Sequence, residues 1–226
     1  MSDAMRSSGN AAASRSRELR RVGGGVSVAE ATAVLIDVSD EFRLSIALPT
    51  GDGDRRVPLA SDVGRLALHT HELDESAVLD VLRRRRGQLA IDQVLCADGL
   101  VELHRAVCGL RGVKPSRVGA REIVARAAIA ASPECARAMS IWCGLLGDTA
   151  GRAALTVDAR GGVFIGGDIV PALGDWFERS PFRRRFEACG GDAQALRAIA
   201  TCVVMGEQER RDNAGAAVDR AGVPVH

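Results

Sequence analysis

The chain has 226 residues, of which 46% are hydrophobic and 26% charged, values typical of a folded protein with room for one sizeable domain. Its net charge of +1 predicts no general attraction to nucleic acid or to an anionic membrane. No stretch has the roughly 18 uninterrupted apolar residues of a membrane-spanning helix, so we expect no membrane partner and a cytoplasmic location.

The chain opens with a segment, residues 1–25, that is rich in Ser, Ala, Arg and Gly. It offers no apolar face to bury, so we predict a disordered lead-in, with a short helix over residues 15–22 as the alternative. Apolar residues from Ala33 to Ile36 then predict a strand. After a turn, apolar residues alternate from Phe42 to Leu48, which predicts a hairpin with one buried face.

Beyond the turn residues 49–53, the pattern is mainly helical. Residues 74–86 begin with acids and end with four arginines before Gly87, as the helix dipole favours. Helical spacing also recurs around residues 100–107 and 123–128. Ser132, Pro133 and Glu134 predict the start of a long helix that extends as far as Val157.

The C-terminal part mixes strands and helices. Gly161 is predicted to end the long helix, and residues 163–165 to form a buried strand. Helices are predicted over residues 169–179, from Ser180 onward and over residues 213–220, with a strand over residues 201–205. Long helices with a few strands predict an α/β or α+β fold.

The six cysteines are far apart and form no CxxC pair. This spacing argues against a disulfide framework or a zinc site, and most of them lie in apolar stretches. We predict that these thiols are small buried hydrophobic groups. We assign no nucleophile, because Cys108 and Cys143 have no predicted His partner.

Four segments resemble motifs of bacterial glucokinases, in the same order. Residues 161–171, GGVFIGGDIVP, resemble GGVYIAGGIVP, and residues 180–187, SPFRRRFE, resemble SPFRxxFE. Residues 141–155, IWCGLLGDTAGRAAL, resemble FCxxLGxxAGNLAL, and residues 94–108, VLCADGLVELHRAVC, resemble VLSGPGLVNLYRAxC. The chain therefore resembles the C-terminal, large-domain part of bacterial glucokinase, collinearly from about Ala33 to Ala221.

This resemblance implies the actin-like ATPase (ribonuclease H-like) fold of sugar kinases, here as a helix-rich α/β large domain with a small sheet. We expect that domain over residues 26–221, with residues 222–226 as a tail. The family activity is ATP-dependent phosphorylation of glucose to glucose 6-phosphate, a step of glycolysis. The resemblance thus implies glucose, ATP and Mg²⁺ as ligands, and a homodimer as the assembly.

The resemblance also implies site residues. Gly166 and Gly167 fall where the family contacts adenosine, and Asp168 replaces a small residue there; the alternative is that these glycines only permit a tight turn. The sugar-binding motif EGGH falls on residues 51–54, which puts Gly51 at the Glu position and Asp54 at the His position. A slip of one residue would bring Asp52 to the Glu position.

Other parts of the family's site are missing or altered. A further sugar-binding Glu falls on Asp92, one methylene shorter. The catalytic base and first phosphate loop have no counterpart, and the second loop, GxGTGLG, is replaced at residues 26–32 by a segment without glycines. We therefore assign no catalytic residue and no metal ligand, and expect activity to be impaired or absent.

Three local patterns have two interpretations each. Asp52 and Asp54 fit the start of a calcium loop, but a turn is favoured because the later ligands are missing. His69, His71 and Glu72 suggest a metal site, although a surface loop is favoured. The arginines at residues 83–86 are suited to phosphate contacts, but a solvated helix end is favoured.

Three hypotheses for function follow. The first is a truncated, diverged glucokinase-like protein without activity of its own. The second is a non-catalytic subunit that assembles with itself or with a full-length kinase. The third is a reading frame in decay, which sequencing of the upstream DNA would reveal.

Overall fold

The computed structural model describes residues 18–51, 55–68, 70 and 72–205. Within these ranges the chain forms one six-stranded sheet, in the order β1-β6-β5-β2-β3-β4. The strands are β1 (Glu18–Arg21), β2 (Ala33–Val38), β3 (Phe42–Pro49), β4 (Arg56–Ser61), β5 (Gly162–Gly167) and β6 (Thr201–Met205). The three central strands, β6, β5 and β2, are parallel, and the others are antiparallel to their neighbours.

The helices lie between β4 and β5 and between β5 and β6 in the sequence. They are α1 (Leu73–Arg86), α2 (Ile91–Val94), α3 (Ala97–Leu110), α4 (Ala120–Ala128), α5 (Pro133–Thr156), α6 (Ile169–Leu173), α7 (Asp175–Arg179), α8 (Phe182–Glu187) and α9 (Ala193–Ala198). Two 3-10 helices cover Asp62–Arg65 and Cys189–Gly191. The α/β fold expected from the resemblance is thus confirmed. No described helix is long and apolar enough to cross a bilayer.

The predicted hairpin and helices are largely confirmed. β2 pairs with β3 in antiparallel register, and α1 ends at Gly87 as predicted. The hydroxyl of Ser132 accepts a hydrogen bond from the backbone N–H of Cys135 at 3.2 Å, which caps α5. The helix predicted over residues 169–179 is two helices, because Gly174 has a positive φ of 54° that breaks the helix between them. The helix predicted over residues 213–220 lies outside the described residues.

Both edge strands differ from the sequence-based prediction. Residues 18–21 form β1 and pair with β6, so they are neither disordered nor helical. Leu19 is paired with Val204 on the neighbouring strand, and both side chains pack against an apolar cluster. β4, which contains Pro58, lies where the sequence predicts a mainly helical pattern, so that prediction is wrong for these residues. An edge strand tolerates proline because its outer N–H groups need no partner.

The helices cover one face of the sheet and enclose the main core. α5 lies at its centre, with Trp142, Leu145 and Leu146 fully buried. A smaller apolar cluster, which includes Leu35 and Phe164, lies on the opposite face. All six cysteines are buried free thiols, as predicted.

Helix α8 packs unusually close to α5 because α5 has glycines at the contact. A Cβ on Gly147 would lie 2.3 Å from the carbonyl oxygen of Phe182, and a Cβ on Gly151 would lie 2.6 Å from that of Phe186. Both distances are shorter than any real Cβ contact, so only glycine fits at these positions. The two helices therefore meet backbone to backbone.

A buried ion network links α8 to α5 and α1. The Arg185 guanidinium donates to both carboxylate oxygens of Asp148, with 2.9 Å for Nε–Oδ1, and to Glu75 Oε2 at 2.9 Å. Thr70 Oγ1 also donates to Glu75 Oε2, at 2.6 Å. Burial opposes the charge of Arg185, but hydrogen bonds and ion pairs with Asp148 and Glu75 outweigh it and raise its pKa.

Candidate functional site

The two predicted nucleotide contacts lie where the parallel strands end. Gly166 pairs with Asp37 and Gly167 with Val38, at the carboxyl ends of β5 and β2. In open α/β sheets, ligands bind in the crevice beyond these strand ends. The position is therefore suitable for a ligand, and the chemistry of the surrounding residues decides which one.

The fold requires a glycine at position 167 but leaves open space beside the glycine at position 166. Gly167 has a φ of 97°, and a Cβ there would lie 2.1 Å from the carbonyl oxygen of Val38. Its glycine is required by the fold, which agrees with the tight-turn interpretation. At Gly166 the nearest atom to an added Cβ is Asp37 Oδ2 at 3.8 Å, so open space remains beside it.

The Asp37 carboxylate lies beside this open space, and three more acids are near it in the sequence. Asp37 stands beside Gly166, Asp168 follows Gly167, and the β2–β3 turn carries Asp40 and Glu41. The nearby Arg43 is held by Glu41, whose hydrogen bonds raise the pKa of the guanidinium. A phosphate group would therefore face like charge here.

The backbone adds little to hold a phosphate at this edge. The N–H of Asp168 donates to the carbonyl oxygen of Val38 at 3.1 Å, and the helix that follows, α6, has only five residues. Among the described residues, no group of three or more His, Cys, Asp or Glu side chains is arranged to hold a metal ion. The residues at this edge consequently do not fit a magnesium-bound triphosphate.

The predicted sugar-site residue Asp92 lies on α2 and is partly exposed. A Cβ on Gly64 would lie 3.2 Å from the Cβ of Asp92 and 3.2 Å from Cδ1 of Phe42. Asp92 is thus in contact with the 3-10 helix Asp62–Arg65, whose end residues pair at 3.9 Å and are exposed. Asp54 and Asp52 lie outside the described residues.

Sequence reasoning did not single out the 3-10 helix, although a signal was present. Its sequence, DVGR, has an acid, a glycine and a base in the same order as EGGH. The β2–β3 turn approaches this region too, because the carbonyl oxygen of Ser39 accepts from the N–H of Ala97 at 2.9 Å. The structure therefore brings Asp92, the 3-10 helix and the acidic turn to one edge of the molecule.

The structure describes residues from two of the three local patterns that have two interpretations each. Arg83, at the end of α1, pairs with Asp80 at 2.9 Å, while Arg85 lies 4.0 Å from Glu102, as expected for a solvated helix end. Glu72 pairs with Arg184 and Arg185 at 3.4 and 3.7 Å. His69 and His71 lie outside the described residues.

The prediction that Cys108 has no His partner is wrong. Its Sγ lies 3.5 Å from Nε2 of His104, four residues earlier on α3, where both side chains are buried. Helical spacing alone could have revealed this pair. Burial raises the pKa of the Cys108 thiol, so the residue remains unsuited to nucleophilic chemistry.

Comparisons with known proteins agree with this architecture. The glucokinase family model matches residues 9–219. A glucokinase of Aromatoleum aromaticum is 39% identical over 204 residues, which cover 90% of this chain and 61% of that protein. A glucokinase of Chromobacterium violaceum is 40% identical over 174 residues, covering 77% of this chain and 49% of the relative. The chain thus spans about half to three fifths of the length of these relatives.

Solved structures show the same fold. A glucokinase from an Antarctic psychrotroph superposes with a TM-score of 0.76 at 22% identity, over 90% of this chain and 61% of that one. A glucokinase from Balamuthia mandrillaris, solved in complex with glucose, gives a TM-score of 0.73 at 14% identity, over 90% of this chain and 57% of that one. Together with the match of the family model to most of the sequence, these findings show that the chain belongs to the glucokinase family.

Proposed function

We propose that this chain is a glucokinase-family protein that does not phosphorylate glucose on its own. The observation that carries the proposal is the position of the Asp37 carboxylate beside Gly166, where a nucleotide of the family would lie. If a phosphate oxygen came within about 4 Å of this carboxylate, the repulsion would be about 4 kcal/mol at an effective dielectric constant of about 20. That energy corresponds to roughly a thousand-fold loss of affinity.

The sugar region supports the same conclusion. The predicted counterpart of EGGH is residues 51–54, where Gly51 replaces the Glu and Asp54 replaces the His. Because Asp92 contacts Gly64, the 3-10 helix Asp62–Arg65 is a second candidate, in which Asp62 would replace the Glu and Arg65 the His. Each lost hydrogen bond to a charged group costs about 1.5–3 kcal/mol, so we expect weak or absent glucose binding.

The ligands of this family remain part of the proposal. A glucokinase of Streptomyces griseus was solved with glucose and AMPPNP, and the Balamuthia protein with glucose. From these likenesses we carry over glucose and ATP with Mg²⁺ as the compounds to test, and the cytoplasm as the location. Neither nucleic acid nor membrane enters the proposal.

The test is an assay of glucose 6-phosphate formation by the purified chain with glucose, ATP and Mg²⁺, beside the Aromatoleum aromaticum glucokinase as a positive control. We expect no turnover above background. Titration calorimetry with AMPPNP and Mg²⁺ should give no measurable binding to the wild-type chain, and Asp37→Asn should bring binding toward the measurable range because it removes the repelling charge. Turnover by the unmodified chain, or tight AMPPNP binding, would overturn the proposal.

A second candidate function is a non-catalytic assembly subunit, either in a homodimer or with a full-length kinase. The observation that favours it is the apolar surface at the edge of the sheet, where Val57 is 56% and Leu59 55% exposed, next to Leu48. Light scattering should then give a mass above that of one chain, and Leu59→Asp should return it to the monomer mass. A monomeric wild-type chain that captures no full-length glucokinase would exclude this candidate.

A further inference from the structure

A cavity of about 270 Å³ lies between the β3–β4 hairpin and the last turns of α5. Its walls are largely aliphatic, with contributions from strands, helix and the segment before α1: Leu44, Ile46, Val63, Leu68, Ile91 and Ala153. Its wall includes neither Gly166 nor Asp92, although Val63 of the 3-10 helix Asp62–Arg65 contributes to it.

The polar groups of the cavity wall are almost all satisfied by the protein. Both carboxylate oxygens of Asp148 bind Arg185. The hydroxyl of Thr149 donates to the carbonyl oxygen of Leu145 at 2.9 Å, and that of Thr156 donates to the carbonyl oxygen of Arg152 at 2.8 Å. These groups therefore have little capacity left to recognise a polar ligand.

Ser61 differs from these groups. Its hydroxyl oxygen accepts from the N–H of Val63 at 3.3 Å, while its hydrogen has no acceptor among the described residues. One hydrogen bond can thus be offered to a ligand. Two charged residues line the wall: Asp148, which is paired with Arg185, and the exposed Arg152. A cationic ligand would therefore lose its hydration without compensation.

We infer that this cavity binds a compact, uncharged, apolar molecule of about six to ten non-hydrogen atoms, with at most one hydrogen-bond acceptor. The size follows from the volume, since a dry aliphatic cavity of about 150 Å³ is sufficient for benzene. The ligand class follows from the aliphatic walls, from the pairing of Asp148 with Arg185 and from the hydrogen bond that Ser61 can donate. This inference does not depend on whether the chain phosphorylates sugars.

The experiment uses p-xylene as the probe and 4-methylbenzylammonium, which has a similar shape but a positive charge, as its control. At about ten times the dissociation constant, p-xylene should raise the Tm by about 3–6 °C, whereas 4-methylbenzylammonium should not change it. In methyl-resolved NMR spectra, resonances of Leu44, Ile46 and Val63 should shift, and those of Ile123, in α4, should not.

Ala153→Leu supplies the matched variant, because it adds a side chain inside the cavity. It should abolish the Tm response to p-xylene, whereas Ala60→Leu, the same change at an exposed position of β4, should keep it. If Ala153→Leu does not fold, the NMR shifts in the wild-type chain still show whether p-xylene binds in the cavity.

Three results would overturn the inference. The first is a wild-type chain whose cavity methyl resonances do not move at saturating p-xylene. The second is an equal Tm response in Ala153→Leu, which would place the binding elsewhere. The third is a shift of the same methyl resonances with protein concentration alone, because a second copy of the chain would then occupy the cavity.

Discussion

Asp92 and Gly64 are in direct contact, since the Cβ that Gly64 lacks would lie 3.2 Å from the Cβ of Asp92. The contact joins α2 to the 3-10 helix at a single small residue. Cδ1 of Phe42 would lie at the same distance from that Cβ, so both neighbours would have to shift by a few tenths of an ångström. The arrangement predicts how the sugar region responds to an added methyl group.

Gly64→Ala should lower the free energy of unfolding by about 1–3 kcal/mol, because the new methyl group overpacks Asp92 and Phe42. Urea denaturation measures the change. Gly24→Ala is the control, since no atom lies within 4 Å of a Cβ there and its φ is not positive. Equal stability of both variants would contradict the contact.

The glycines at the end of β5 should respond differently to the same substitution. Gly167→Ala should destabilise the protein by at least about 1–3 kcal/mol, because its positive φ and the carbonyl of Val38 exclude a side chain. Gly166→Ala should change stability by less than about 0.5 kcal/mol. Thermal denaturation of the two variants checks the difference, and similar losses in both would be evidence against it.

The buried network around Arg185 should be critical for stability. The side chains of Arg185, Glu75 and Asp148 are 5%, 6% and 10% exposed, so Arg185→Met would leave two buried carboxylates without their counter-charge. We expect a loss of about 3–5 kcal/mol in the free energy of unfolding.

The control for this network is Arg160→Met. Arg160 pairs with Asp158 at 3.0 Å, but both side chains are about two-thirds exposed. Its removal should cost at most about 1 kcal/mol. Chemical denaturation of both variants tests the contrast, and a loss below about 1 kcal/mol for Arg185→Met would refute it.

His104 should make stability depend on pH. Burial lowers the pKa of His104, an effect that Arg126 and Arg105 strengthen and Glu134 opposes. The unfolded chain therefore binds a proton more readily than the folded one near the ordinary histidine pKa of about 6.5. The contribution of the neutral ring to the free energy of unfolding is fully present above that pKa. It is lost as the pH falls toward the lower pKa of the folded state.

Urea denaturation between pH 8 and pH 5.5 measures this dependence. The wild-type chain should lose more stability over that range than His104→Gln, which cannot titrate. Parallel pH dependences in the two proteins would show that another group is responsible.

Much of the fold could be predicted from local pattern. The hairpin at Phe42 and the capped start of α5 at Ser132 could be predicted, because each is encoded within a few neighbouring residues. The strand β1 was not, because its partner β6 lies about 180 residues away and nothing local distinguishes four residues from a coil. Tertiary pairing decides such short strands.

The candidate site was less predictable. Gly166 and Gly167 were located correctly at a strand end, yet only the structure separates the glycine that the fold needs from the one beside open space. The placement of the sugar motif on residues 51–54 stays a prediction, because residues 52–54 lie outside the described residues. The contact of Asp92 with Gly64 joins residues 28 positions apart, which spacing along the chain cannot reveal.

The glycine contacts between α5 and α8 have a consequence for how the protein opens. Because Gly147 and Gly151 bring the two backbones together, and Arg185 ties α8 to the Asp148 side chain, neither helix can separate without exposing the other. Their amide protons should therefore exchange with deuterated solvent at a common, slow rate. The short α8 should be protected as strongly as the 24-residue helix on which it lies.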